Sequence, residues 1–234
     1  MNPSIFRAYS VRGVVGRDLD AADMRALGQA LGSAVLEGGG RTVAVGHDVR
    51  THSPALAQAL VEGLCAAGAE VLFLGLVPTP VLNFATDLLG ADAGVAVTAS
   101  HNPPDENGLK VRTDRTLLQP DLLALRARAE EGRLRSGRGR IRRETVKETY
   151  LGQVCARVRG TPCGLRTVVD AGNGTIGPWA RALLERLGCA VTVLHGEPDG
   201  TFPHRSPNPL DPGSLAALQE AVRRQGVDLG LAYD

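Results

Sequence analysis

Between Gly94 and Lys110 the chain reads GVAVTASHNPPDENGLK, an apolar run of strand character that breaks into Ser100, His101 and Asn102 and is stiffened by Pro103 and Pro104. A serine at a strand end can act as a nucleophile with a base beside it, or it can carry a transferred group. Adjacent side chains on an extended backbone diverge, which makes Ser100 and His101 a poor nucleophile and base pair. The G-x-S-x-G elbow of hydrolases is also absent, since Thr98, Ala99, His101 and Asn102 surround the serine. Carriage of a phosphoryl group suits the loop better. A phosphoserine holds about −1.5 to −2 charges and three acceptor oxygens, and the segment offers backbone amides, His101, Asn102, Asn107 and Lys110 as donors. Magnesium binds through one or two carboxylates plus phosphate oxygens. Asp234, at the end of a later apolar strand, would complete a site for Mg2+ with Ser100.

Lys110 stands out because only it and Lys147 are lysines among the 26 basic residues. A compact ammonium can give and take a proton, which a guanidinium cannot. A second chemistry is open at Gly172-Asn173-Gly174-Thr175-Ile176-Gly177, which fits G-x-G-x-x-G after a strand, with Glu197 and Asp199 beyond the next strand. On that alternative the chain is a noncatalytic or dinucleotide-binding α/β protein. Two features count against it: the unit begins near residue 166, away from the head of a long doubly wound sheet, and the same architecture at 41–75 lacks the glycines.

The elements that must position these groups follow from periodicity and punctuation. RTVAVGHD (41–48) reads as a strand, 55–67 as an amphipathic helix stopped by Gly68, and 69–75 as the next strand. Pro78 and Pro80 open a helix through Leu89, and 94–99 is a third strand. The pattern of strand, polar loop, proline-led helix, glycine and strand recurs at 166–196, and 214–234 adds a helix, a stop at Gly226 and another strand. Two α/β domains of one design result. In mostly parallel sheets ligands lie beyond the carboxyl ends of strands, and those ends carry His47, Asp48 and Arg50, then Ser100 to Asn102, Asn173 and Asp234.

The charged, glycine-containing stretch 126–144 suits a domain boundary, with a helix from about 145 to 158 leading onward. Its arginines are interrupted by Glu130, Glu131 and Glu144 and have no interleaved aromatic residue, so it reads as solvated surface and not as a nucleic-acid contact. The net charge of +1 calls for neither nucleic acid nor membrane, and 43% hydrophobic content over 234 residues supports a sizeable core. No apolar segment approaches the ~20 residues of a membrane-spanning helix, and the first residues lack the apolar core of a signal peptide. A cytoplasmic location is the expectation. Cys65, Cys155, Cys163 and Cys189 show no metal or disulfide spacing and read as reduced, mostly buried small hydrophobes.

TASHNPPDENGLK resembles the phosphoserine loop of the α-D-phosphohexomutases, the phosphomannomutase and phosphoglucomutase family. FRAYSVRGVVG, VPTPVL, VVDAGNGTIGPWA, EPDGTFPHRSPNPL and DLGLAYD extend the resemblance along the chain. The opening differs from the Phe-Gly-Thr-x-Gly start of the phosphoglucosamine branch, which favours the mannose and glucose branch. The resemblance implies two similar three-layer α/β domains with mainly parallel mixed sheets, 1–144 and 145–234, the second incomplete. It implies interconversion of hexose 1- and 6-phosphates through a bisphosphorylated intermediate, with phosphosugars as partners and Mg2+ on Ser100 and Asp234. Ser100 would carry the phosphoryl group and His101 and Lys110 would assist it. Tyr9 and Arg12 would touch substrate or phosphoserine, and Asn102, Asn107 and Arg50 would support the loop.

Departures from the family pattern are Ser10, where aspartate is usual after the tyrosine, and His47, where Gly-Arg-Asp is common. The family's metal loop reads Asp-Gly-Asp-x-Asp-Arg, and the chain stops at its first aspartate, Asp234. The expectation is an amino-terminal half without turnover of its own, with an exposed sheet edge able to drive self-association.

Overall fold

The computed structural model describes residues 1–160 and 164–234. They form two compact units: Met1–Ala99 with Asp105–Thr145, and Ser100–Pro104 with Val146–Asp234. Cys163 lies outside the described residues.

The first unit runs β1 (Val11–Val14), α1 (Ala21–Glu37), β2 (Thr42–His47), α2 (Ser53–Ala67), β3 (Glu70–Leu76), α3 (Thr79–Leu88), β4 (Ala93–Val97), β5 (Glu106–Arg112), α4 (Gln119–Glu130) and β6 (Ile141–Arg143). Its six-stranded sheet has the order β1-β5-β4-β2-β3-β6. Parallel pairing joins β4, β2, β3 and β6, whereas β5 runs antiparallel to both β4 and β1. The expected strands and helices between 41 and 97 are present, and Gly68 ends α2 in the left-handed conformation as read. The α1 N-terminus is closed by a reciprocal Asp20 and Asp23 capping box, which satisfies two otherwise orphaned amides.

Alternation along the strands sorts the two faces of this sheet. Val43, Val45, Val95 and Val97 join the core formed with α1, α2 and α4. Ala44, Gly46, Gly94 and Ala96 point the other way, and this face is so close to α3 that a Cβ on Gly94 would meet Thr86 Oγ1 at 2.3 Å. Helices therefore cover both faces. α1 and α2 cross at glycine contacts from both sides: a Cβ on Gly63 would lie 2.0 Å from the Arg25 carbonyl oxygen, and one on Gly28 would lie 2.2 Å from that of Leu60.

The second unit contains α5 (Lys147–Arg157), β7 (Arg166–Asp170), α6 (Gly177–Arg186), β8 (Ala190–Leu194), α7 (Ala216–Gln225) and β9 (Leu229–Ala232). Its three described strands are parallel in the order β8-β7-β9. Val168, Leu218 and Ala221 form the centre of its core. Both units are thus α/β, with a mixed sheet in the first and a parallel one in the second.

Two readings are corrected, and the place of Lys110 is added. The stretch 126–144 is more than a solvated boundary: Gly137 and Gly139 donate to the Ala66 and Cys65 carbonyls at 2.8 Å each, and β6 pairs with β3, while the arginines from Arg133 to Arg143 stay exposed. Cys65, Cys155 and Cys189 are half-buried and in no disulfide, and burial raises the Cys65 thiol above its ordinary pKa. Lys110 sits inside the sheet, on a strand flanked by β1 and β4. Among the described residues no helix is long and apolar enough to cross a membrane.

Candidate functional site

In the second unit Ser100 and Asp234 meet. Ser100 lies just past the end of β4, after Thr98 and Ala99, adopts a positive φ of 58°, and donates from Oγ to Asp234 Oδ2 at 3.2 Å. His101 Nδ1 lies 3.2 Å from the same carboxylate oxygen. Both His101 and Asp234 are about half exposed, at 50% and 52% of their side chains, so a phosphoryl group could reach them from solution. Asn102 borders a cleft of about 520 Å3 lined also by His101, Pro103, Phe202, Arg205 and Asn208.

The positive φ recurs among non-glycine residues at Asn173, His195 and Phe202, all in the same unit. Left-handed backbone costs a residue with a side chain about 1–2 kcal/mol, and such strain gathers where function over-determines the backbone. Here packing does the over-determining. Asn173 bonds the Glu197 carbonyl at 2.9 Å and His204 Nδ1 at 2.8 Å, and the His195 and His204 rings stack with centroids 4.4 Å apart.

The other expected site residues belong to the first unit. Arg50, with a fully buried side chain, donates from Nη1 to the Glu106 carbonyl at 2.9 Å and places Nε 3.3 Å from Asp48 Oδ2. Burial pulls its pKa below the usual arginine value, opposed by Asp48 and Glu106 and assisted by the neighbouring Arg12 cation. Asp48 also accepts from Ser53 Oγ, which accepts from Asn107 Nδ2 at 2.8 Å, and Asn107 Oδ1 accepts from the Gly108 amide at 2.8 Å. This buried chain rivets the β2 end to the start of β5, the strand that returns from the serine loop. Arg12 lies on β1, Lys110 is half-buried on β5, and Tyr9 is exposed just before β1.

Ser53, Asp170 and Arg205 escaped the sequence reading. Ser53 precedes a proline in a proline-led helix and reads as an ordinary cap. Asp170 and Arg205 lie 35 residues apart, and only the fold joins them, with Arg205 Nε 3.1 Å from Asp170 Oδ1. That pair also answers the G-x-G-x-x-G motif. The space over Gly172 is filled by the Arg205 guanidinium, whose Cζ a Cβ there would meet at 2.4 Å, and Gly177 serves close packing against the Gly196 backbone at 2.1 Å. The glycines accommodate protein atoms, which leaves no open cradle for a pyrophosphate.

Among the described residues no group of three or more His, Cys, Asp or Glu side chains converges as a metal cage. Ser100 and Asp234 offer two oxygens 3.2 Å apart. The Asp234 carboxylate and the oxygens of a phosphoryl group carried on Ser100 would be the donors for a hard cation, with water filling the remaining positions.

Comparison with known proteins gives the family. The family model for phosphoglucomutase/phosphomannomutase α/β/α domain I matches residues 3–132, and that for domain II matches 148–234. A phosphomannomutase/phosphoglucomutase of Pseudomonas aeruginosa is 43% identical over 232 residues, covering 99% of this chain and 50% of its own. A phosphomannomutase of Salmonella typhimurium is 38% identical over 244 residues, covering 98% and 52%. The crystal structure of a phosphoglucomutase/phosphomannomutase family protein from Burkholderia thailandensis superposes with a TM-score of 0.93 at 37% identity, covering 98% of this chain and 52% of that one. The chain spans about half the length of the curated relatives it matches. The two family models together cover most of the chain, and with these relatives they show that it belongs to the phosphoglucomutase/phosphomannomutase family.

Proposed function

We propose that this chain is the phosphoryl-carrying part of a phosphohexomutase of phosphomannomutase/phosphoglucomutase type. The observation that carries the reading is the Ser100 hydroxyl, on a half-buried residue at a strand end, 3.2 Å from Asp234, in a chain matched along 99% of its length by relatives of that name. Phosphoserine at residue 100 transfers its phosphoryl group to a hydroxyl of a hexose phosphate: the Oγ–P bond breaks, an O–P bond forms on the sugar, and the hydroxyl proton leaves. Reorientation of the hexose 1,6-bisphosphate and return of the other phosphoryl group to Ser100 complete the isomerisation.

Phosphoryl transfer asks mainly for positioning and for neutralisation of charge. His101 takes or gives the proton beside Ser100, and Lys110 supplies a compact cation able to do the same. Arg12 and Tyr9 contact the substrate or phosphoserine. Asn102 lies in the loop and borders the cleft, and Arg50 and Asn107 hold the strands that carry it. Ser100 and Asp234 would hold Mg2+, which when bound withdraws charge from the phosphate oxygens. One carboxylate is a sparse ligand set, so we read these 234 residues as accepting a phosphoryl group without sustaining turnover.

Incubation with glucose 1,6-bisphosphate followed by peptide mass spectrometry tests the reading. Near-stoichiometric phosphate on Ser100, absent in Ser100→Ala, is expected. An unmodified Ser100 in the folded protein refutes it, and continuous conversion of mannose 1-phosphate by the purified chain refutes the statement about turnover.

A further inference from the structure

We infer that Arg205 is the positioning residue for Asp234, acting as a clamp across two strand ends. Its side chain is 5% exposed and that of Asp170 is fully buried. Nε donates to Asp170 Oδ1 at 3.1 Å, Nη1 to the Ser206 carbonyl at 2.9 Å, and Nη2 to the Tyr233 carbonyl at 2.7 Å with a longer approach to the Asp170 carbonyl at 3.4 Å. One guanidinium therefore ties the last residue of β7 to the residue that follows β9. The Tyr233 amide donates back to the Asp170 carbonyl at 3.1 Å.

The Tyr233 carbonyl shares a planar peptide unit with the Asp234 nitrogen. Holding that oxygen fixes the plane from which the Asp234 Cα and its carboxylate project. A segment beyond a strand would otherwise swing, and the contact between Ser100 and Asp234 would swing with it.

Asp170 anchors the clamp. Its Oδ1 also accepts from the Gly172 amide at 2.9 Å and lies 3.1 Å from His195 Nδ1, while Oδ2 is buried with no hydrogen-bond partner. The carboxylate is thus fixed through one oxygen from three sides, in a setting where charge-assisted bonds are strong. A guanidinium can serve a carboxylate and carbonyls in different directions at once, which a lysine cannot. The missing Cβ at Gly172 is the room this arrangement requires.

The inference rests on the reading of Asp234 as the partner of Ser100, so the test scores both separately. Arg205→Ala strands the Asp170 charge and can unfold the unit. The paired replacement D170N/R205M removes both charges with little change of volume, which buried ion pairs tolerate, and the emission of Trp179 reports whether it is folded. Mn2+ binding, followed by electron paramagnetic resonance on the metal alone, and the rate of Ser100 phosphorylation by glucose 1,6-bisphosphate are measured for this variant, Arg205→Lys and Asp234→Asn. A displacement of about 1 Å in a positioning group costs on the order of 100-fold in rate. The folded D170N/R205M protein is expected to phosphorylate about that much more slowly with an unchanged half-saturating bisphosphate concentration, and to bind Mn2+ more weakly. Arg205→Lys, which keeps a cation for Asp170, is expected to remain slow. Wild-type rates in both Arg205 variants, with Asp234→Asn impaired, overturn the clamp alone. Wild-type behaviour of Asp234→Asn overturns the underlying reading and the clamp with it.

Discussion

Alanine in place of Gly63 sets two effects of known sign against each other. In a helix interior the substitution gains about 1 kcal/mol of propensity. At this site the new Cβ would stand 2.0 Å from the Arg25 carbonyl oxygen, 2.8 Å from the Gln29 nitrogen and 2.9 Å from the Arg25 carbonyl carbon, all backbone of α1. Restoring ordinary contact moves the helices apart by about 1.4 Å, since neighbours begin to fit at 3.4 Å. The displacement opens the seam where Leu27, Leu31, Leu60 and Leu64 pack. Overpacking of this kind costs about 1–3 kcal/mol, and backbone cannot yield as a side-chain tip can, so the upper part of that range applies. The net expectation for Gly63→Ala is a loss of about 2 kcal/mol. Gly152, in the exposed middle of α5, has nothing within 4 Å of where a methyl group would stand, so Gly152→Ala keeps the propensity gain of up to about 1 kcal/mol. Urea unfolding reads both, with far-UV circular dichroism following the helices of both units and the single tryptophan, Trp179 on α6, following the second alone. A neutral or stabilising Gly63→Ala would refute the close approach of α1 and α2.

Arg50→Met should destabilise the first unit by about 3 kcal/mol, the low end for breaking a buried pair, because Asp48 retains the Ser53 hydroxyl and the Arg50 amide; urea unfolding measures it. Asp121, paired with Arg115 and accepting the Leu118 amide, has its pKa lowered from 3.8 to about 2. A depressed carboxylate stabilises the fold above its unfolded value, so the contribution is present above about pH 4 and disappears as pH falls toward about 2; Asp121→Asn should flatten stability against pH in that window alone. Gly172→Ala combines a positive φ of 52° with displacement of the Arg205 guanidinium, and should slow Ser100 phosphorylation while lowering the urea midpoint by an amount equivalent to about 1–2 kcal/mol. Retained phosphorylation at the wild-type rate would count against that displacement.

Legibility in the sequence followed the range of the interactions involved. The run from β2 to β4 could be read because valine alternation, proline-led helices and the Gly68 stop are local signals. β1 and β5 could not, since VRGV is short and ENGLKVR mixes charge into a strand that only its two neighbours justify. β6 hid inside an arginine-rich stretch because its placement is set by distant backbone at Ala66 and Cys65. At the site, Ser100, His101 and Asp234 were legible as residue types at strand ends, and the fold brings them to one oxygen. Arg205 left no local trace: its meaning lies in the Tyr233 carbonyl, 28 residues on.

Five residues, Ser100–Pro104, depart from the first unit's β4 and β5 and make their contacts with the second. Any recombination of family members that crosses over near residue 145 therefore pairs the serine loop of one parent with the carboxylate of the other. Chimeras that move 100–104 together with 146–234 inherit a matched couple, and the remainder must rebuild that handshake from sequences that never co-adapted.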